Sequence, residues 1–230
     1  MKTVGILGGL GPETTSKFYL ELIQSYYEVD KRSRPPVLIW SVPLPYQIEE
    51  DLIVRDEGVE RYIPFLVDAA KRLENGGADF LVIPCNSVHI FIEEIRQAVS
   101  IPVLSIAEET ANFLKQQNIT KVGLLGTSTT INKRIYTDKL KEAGIEEVIP
   151  PESDQEIIGQ VIHNLVLNQY SNEEKDKIDK IIDNLGNREI STVVLACTDL
   201  QLVIKDHPRS KVYDSMKIMI DATVKKIHEA

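Results

Sequence analysis

Short runs of Val, Ile and Leu alternate along the chain with longer stretches whose apolar positions recur every three or four residues. Continuous apolar runs mark strands covered on both faces, as in parallel sheets. The three- to four-residue recurrence marks helices with one face against a core. Strands are thus predicted over 3–8, 36–42, 79–84, 102–106, 121–126, 146–151, 192–196 and 211–215. Helices are predicted over 13–29, 58–75, 87–98, 107–117, 129–143, 154–168, 173–186 and 215–228. The segment GVERYIPFLVDAAKRLENGGADF shows the helical spacing most plainly and stops at a Gly-Gly pair. SNEEKDKIDK is heavily charged but keeps the helix period, which is the mark of a solvated face. The alternation defines an α/β protein built on parallel sheets.

The pattern also repeats. VGILGGLGPETT, from Val4, is echoed by VGLLGTSTTINK, from Val122. Each opening is followed by a later apolar strand that ends in cysteine and a polar residue. Cys85 comes 81 residues after Val4, and Cys197 comes 75 after Val122. So long a period excludes a short-repeat solenoid. It points to two similar parallel-sheet α/β domains related by pseudo-two-fold symmetry, with a boundary near Pro102.

The first glycine turn invites a dinucleotide reading, but Gly5, Gly8, Gly9 and Gly11 fit no register of the Gly-x-Gly-x-x-Gly fingerprint. No carboxylate for a ribose ends the second strand, and no Gly-Lys-Ser/Thr follows for a phosphate loop. Gly8, Gly9 and Gly11 permit a tight turn, and Pro12 suits a first helical turn. A helix start of this kind offers N–H groups to an anion, a carboxylate included. Thr127 and Ser128 hold the equivalent turn in the second half. A purely structural turn remains open for both.

Composition narrows the setting. The chain has 230 residues, 43% of them hydrophobic and 27% charged, within the range of globular proteins. A formal net charge of −9 argues against nucleic acid or an anionic membrane as partner. No apolar run approaches the roughly 18 residues of a membrane helix. KTVGILGGLGPE breaks at glycines too early for a secretory signal. Two cysteines without such a signal imply a reducing compartment, so a soluble cytoplasmic protein is expected.

Those two cysteines carry the candidate chemistry. Both fall where a strand gives way to a helix, on the side where parallel α/β folds bind ligands, and a helix N-terminus there favours a thiolate. A disulfide is disfavoured by the compartment. His89, His163, His207 and His228 show no metal-ligand spacing, so no metal is expected. Two inert buried thiols remain one reading. The other is a catalytic pair, one thiol from each half. Inversion of a carbon acid needs a group that removes a proton from one face and a second that delivers one to the other. A thiolate and a thiol meet that need. Asn86, Ser87, Thr127 and Thr198 are placed by sequence to offer hydrogen bonds to a substrate carboxylate as negative charge develops.

GILGGLGPETT, ENGGADFLVIPCNSVH, IPVLSIAEET, KVGLLGTSTTI and VVLACTDL resemble, in order and over nearly the whole chain, the cofactor-independent aspartate/glutamate racemase family. The resemblance implies two α/β domains with the active site between them, no pyridoxal phosphate or other cofactor, a small amino-acid substrate and a homodimer. It implies that Cys85 and Cys197, on motifs like PCNT and GCTE, are the catalytic acid and base. Gly9, Leu10, Gln47, Asn86, Ser87, Thr127 and Thr198 become the expected substrate-binding positions. It further implies that the chain returns to its first domain, which gives domains of 1–102 plus 209–230 and of 103–208.

Three departures bear on specificity. Ser87 replaces a usual threonine, and Ala196 and Asp199 replace Gly and Glu. Aspartate-specific members carry an arginine shortly after the second strand and a lysine on a helix of the second domain. Here Gln47 or Ile48 holds the first place, and IHNLVLNQY offers no lysine at the second. Arg55 and Arg61 are nearby substitutes. Aspartate or glutamate is the first expectation. A broad-specificity racemase, a decarboxylase or cis–trans isomerase of the same fold, and a non-catalytic amino-acid binder are the alternatives.

Overall fold

The computed structural model describes residues 1–48 and 58–229. Its chain divides into two compact units, Met1–Ser105 with Met219–Ala230, and Ile106–Ile218.

The first unit holds strands β1 (Val4–Gly8), β2 (Val37–Ser41) and β3 (Phe80–Val82), all parallel, in the order β2-β1-β3. Helix α1 (Pro12–Val29) follows β1 directly. Proline suits its first position because that N–H would lack an intrahelical partner in any case. Helix α2 (Ile63–Asn75) buries Leu66, Ala69, Ala70 and Leu73, one stripe at helical spacing. That stripe packs with Leu7 and Leu81 of the sheet, with Ile83 just past β3 and with Ile95 of the short helix α3 (Ile92–Ala98). Each fully buried Leu or Ile contributes about 1.5–3 kcal/mol, so this seam between α2 and the sheet stabilises the unit.

The second unit is built the same way with one strand more. Strands β4 (Lys121–Gly126), β5 (Glu146–Val148), β6 (Thr192–Ala196) and β7 (Lys211–Asp214) run parallel in the order β5-β4-β6-β7. Around them lie α4 (Ile106–Gln116), α5 (Ser128–Asn132), α6 (Thr137–Glu142), α7 (Glu152–Val166), α8 (Asn172–Gly186) and the start of α9 (Ser215–His228). Ile158, Val161 and Leu165 of α7 and Ile178, Ile182 and Leu185 of α8 share a core with Leu125, Val193 and Leu195.

In each unit the opening strand is central. The next strand lies on one side and the strand that ends in cysteine on the other. Gly5 and Gly123 hold the same place in the two repeats for the same steric reason. A Cβ on Gly5 would come within 2.6 Å of Leu81 and 2.9 Å of Ala78, and one on Gly123 within 2.9 Å of Leu185.

The elements depart from the sequence pattern most at 102–106 and 129–143. The run 102–106 forms no strand. Val103 alone bridges to Leu81, held by Leu81 N to Pro102 O (2.8 Å) and Leu104 N to Leu81 O (3.0 Å), and α4 then begins at Ile106. The stretch 129–143 is two helices rather than one, because Arg134 between them takes a left-handed conformation, φ 56°. The unit Ile106–Ile218 includes β7, which pairs with β6 from Thr192 opposite Lys211 to Leu195 opposite Asp214. Among the described residues no helix is long and apolar enough to cross a membrane.

Candidate active site

Parallel strands put all their carboxyl ends on one edge, and that edge collects most of the candidate residues within each unit. In the first, β1 runs into Gly9 and Leu10, β2 into Val42, and β3 through Ile83 and Pro84 into Cys85. Gly9 has φ +82°, and a Cβ there would lie 2.5 Å from Ser41 Oγ and 2.7 Å from Val42 N, so only glycine lets the turn pass this close to the end of β2. Its N–H donates to Thr15 Oγ1 (2.9 Å), and that hydroxyl donates to Gly11 O (3.1 Å). The turn is thereby closed on itself at this amide. Cys85 is half-buried and precedes Asn86, which is 3% exposed and leads into the 3₁₀ turn Ser87–Phe91. His89, also buried, holds its Nδ1 2.8 Å from Cys85 O. A carbonyl only accepts, so Nδ1 carries the hydrogen and the imidazole acts here as a brace on the cysteine backbone. Gln47 lies exposed beyond β2, and Arg61 is exposed in the 3₁₀ turn Val59–Tyr62. Arg55 lies outside the described residues.

In the second unit Gly126 pairs with Ala196, which sets Thr127 and Cys197 at the same edge. Thr127 caps α5: its Oγ1 accepts from Thr130 N (3.1 Å) and lies 3.0 Å from Thr130 Oγ1. Gln155 of α7 donates to Gly126 O (2.9 Å), which fixes the end of β4. Cys197 is 5% exposed and its Sγ donates to Asp199 Oδ2 (3.7 Å). Thr198 is buried, and its carbonyl accepts from Gln201 Nε2 (2.8 Å). Neither cysteine forms a disulfide, so both carry thiols.

Behind the Cys197 strand lies a polar web that sequence reading did not single out. Ser215 Oγ, fully buried, donates to Leu195 O (2.7 Å). Tyr136, with no exposed surface, hydrogen-bonds with Ser215. Burial pushes the Tyr136 hydroxyl above its ordinary range, the hydrogen bond with Ser215 opposes this, and the negative charge of Asp214 pushes it up further. Tyr136 therefore stays a neutral donor. A tyrosine between two short polar helices gives no sequence signal of such a role. Asp199, by contrast, was visible at the second position after Cys197. Among the described residues no three His, Cys, Asp or Glu side chains are grouped to hold a metal ion.

This arrangement meets its counterparts in known proteins. A model of the Asp/Glu/hydantoin racemase family matches residues 7–223. The chain is 32% identical over 227 residues to the broad specificity amino-acid racemase RacX of Bacillus subtilis (strain 168), covering 96% of each. Among solved structures, a Yersinia pestis protein superposes with a TM-score of 0.88 at 28% identity over the full length of both chains. The Picrophilus torridus aspartate racemase superposes with a TM-score of 0.81 at 26% identity, over all of this chain and 96% of that one.

Proposed function

The chain belongs to the Asp/Glu/hydantoin racemase family, and on that premise we infer that it inverts the α-carbon of an amino acid without a cofactor, using Cys85 and Cys197 as alternating base and acid. One observation carries the reading. Two sheets of like order each deliver a thiol at the carboxyl end of the strand flanking the central one. Racemisation consumes nothing: one proton leaves one face of the carbon and another arrives at the opposite face. Two thiols in opposite protonation states supply both steps and exchange roles for the reverse reaction. The carbanion between the steps is the obstacle. Hydrogen-bond donors held at the substrate carboxylate lower it, each worth about 2.7–4 kcal/mol where such donors have been removed from enzymes. Asn86, Ser87, Thr127 and Thr198, with the Gly9–Leu10 turn, are the groups we assign to that task. With this reading go a cytoplasmic setting, a homodimer and a small amino-acid substrate.

Aspartate and glutamate are the first substrates to try. A wider range is favoured by a specific observation: Gln47, where an arginine would grip an acidic side chain, is exposed and uncharged, and α7 has no lysine along its length. The full-length likeness to a broad-specificity relative points the same way.

The test is incubation of each enantiomer of a panel of amino acids in D2O without added cofactor, following α-proton exchange and optical rotation. Inversion with exchange is the expected result, and no exchange with any amino acid overturns the reading. Cys85→Ser and Cys197→Ser should each lower racemisation by about 10³-fold or more, since each removes a whole acid/base group. Full activity in either variant would take that cysteine out of the mechanism.

A further inference from the structure

The two thiols stand at like strand ends but are not held alike. Gly126 pairs with Ala196 as the last step of the β4–β6 ladder, so Cys197 follows its sheet directly. The β1–β3 ladder ends instead with Ile6 opposite Val82, three residues short of Cys85. Pro84 lies in that gap and has no N–H to give to a strand. A thiol carried beyond the ladder needs another anchor if it is to meet a substrate carbon at a fixed distance.

His89 supplies one. Its Nδ1–H donates to Cys85 O (2.8 Å), and its backbone N–H donates to Asn86 O (3.0 Å). One residue thus holds two successive carbonyls. A held carbonyl fixes the plane of its peptide, so the planes on both sides of Asn86 are set, and the first contains the Cys85 Cα. Fixing that plane narrows the positions the sulfur can take. The imidazole is itself held in place: His89 is buried, and Val88 and Phe91 of the same 3₁₀ turn pack into the core of the first unit. An apolar side chain would fill such a place without the cost of burying a polar ring.

Resting on the racemase reading, we propose that His89 is the positioning residue of Cys85: the imidazole stands in for the missing ladder and sets the sulfur against the α-carbon. It exchanges no proton with the substrate. What the site requires is an N–H where Nδ1 stands, and any side chain that places one there serves.

Racemisation draws on both thiols and does not separate them. The two enantiomers have equal free energy, so kcat/KM is the same in both directions for any variant. A reaction that needs only one base separates them. A thiolate removes the α-proton of 3-chloroalanine, chloride leaves with the C–Cl electron pair, and the resulting 2-aminoacrylate hydrolyses to pyruvate and ammonia. Each enantiomer presents its α-proton to one cysteine, and Cys85→Ser and Cys197→Ser identify which.

His89→Gln carries its amide nitrogen one bond further out, and His89→Phe fills the space without a donor. Both should slow pyruvate release from the Cys85-dependent enantiomer by about 100-fold, the cost of a misplacement of about 1 Å. The other enantiomer should change by less than about threefold, the scatter of an ordinary substitution. His89→Asn, whose amide nitrogen sits as many bonds from Cβ as Nδ1 does, should win back about tenfold or more of the loss. Equal loss for both enantiomers marks a structural role and overturns the proposal. So does the absence of any loss in His89→Gln and His89→Phe, or a loss in His89→Asn as deep as theirs. A wild-type protein that neither racemises amino acids nor releases pyruvate overturns the racemase reading itself, a result distinct from these.

Discussion

The two strand-to-helix turns do the same job by different means. After β1 the chain turns through Gly9 and Gly11, both at positive φ, and α1 starts with no side-chain cap. After β4 it turns through Thr127 in extended conformation, and the threonine caps α5. The strand ends that carry the thiols differ in parallel. Cys85 is half-buried with its backbone braced by His89, whereas Cys197 is buried, paired with Asp199 and backed by Ser215 and Tyr136. A duplicated frame can therefore place two thiols at like strand ends while leaving each in its own surroundings.

Breaking the glycine turn should give the largest effect on stability. Gly9→Ala combines a left-handed backbone with a Cβ 2.7 Å from Val42 N, and the two costs together come to about 3 kcal/mol. Urea unfolding of the variant measures it. A change below about 0.5 kcal/mol, the level of an ordinary surface substitution, would show that the turn relaxes and that glycine is not what distinguishes it. Removing the cap in the other unit should cost less. Thr127→Ala loses one acceptor for a helix N–H, about 1 kcal/mol, and Thr127→Ser should keep most of it. If the serine variant falls as far as the alanine one, the methyl packing of Thr127 and not its cap holds that turn.

The repeat, the parallel α/β class and the position of both cysteines at strand ends were legible because each rests on local pattern: apolar runs, glycine turns and helical spacing. What was missed depends on neighbours. Val103 lies in an apolar run but makes a single bridge, to Leu81, before α4 begins, so the run never becomes a strand. Arg134 breaks a helical pattern without a glycine or proline to announce it. β7 was legible as a strand, but its pairing with β6 is shown by no local pattern. The polar web behind Cys197 was invisible for the same reason, since Tyr136 and Ser215 stand 79 residues apart and meet only in the fold. Asp199 was legible as a residue, but its 3.7 Å contact with the Cys197 thiol was not.

The smallest effect sharpens the contrast between a capped and an uncapped helix. α8 opens on a reciprocal cap: Ser171 Oγ accepts from Glu173 N (3.2 Å), while Glu174 accepts from Ser171 N (2.8 Å) and Ser171 Oγ (3.0 Å). α1 has nothing of this kind. The backbone N–H of Ser171, then its hydroxyl, hold the Glu174 carboxyl down at about 2 from its ordinary 4.5, against a smaller opposing effect of burial. A depressed pKa means the native state prefers the charged form. The extra stability is therefore complete above pH 4.5 and is lost as pH falls toward about 2. Glu174→Gln keeps an acceptor oxygen but cannot titrate. Its Tm should lie below that of the wild type at pH 7, and the gap should narrow steadily below pH 4.5. A gap that stays constant down to pH 3 would mean that the carboxylate charge is not what closes the cap. The two kinds of helix start would then differ in shape alone.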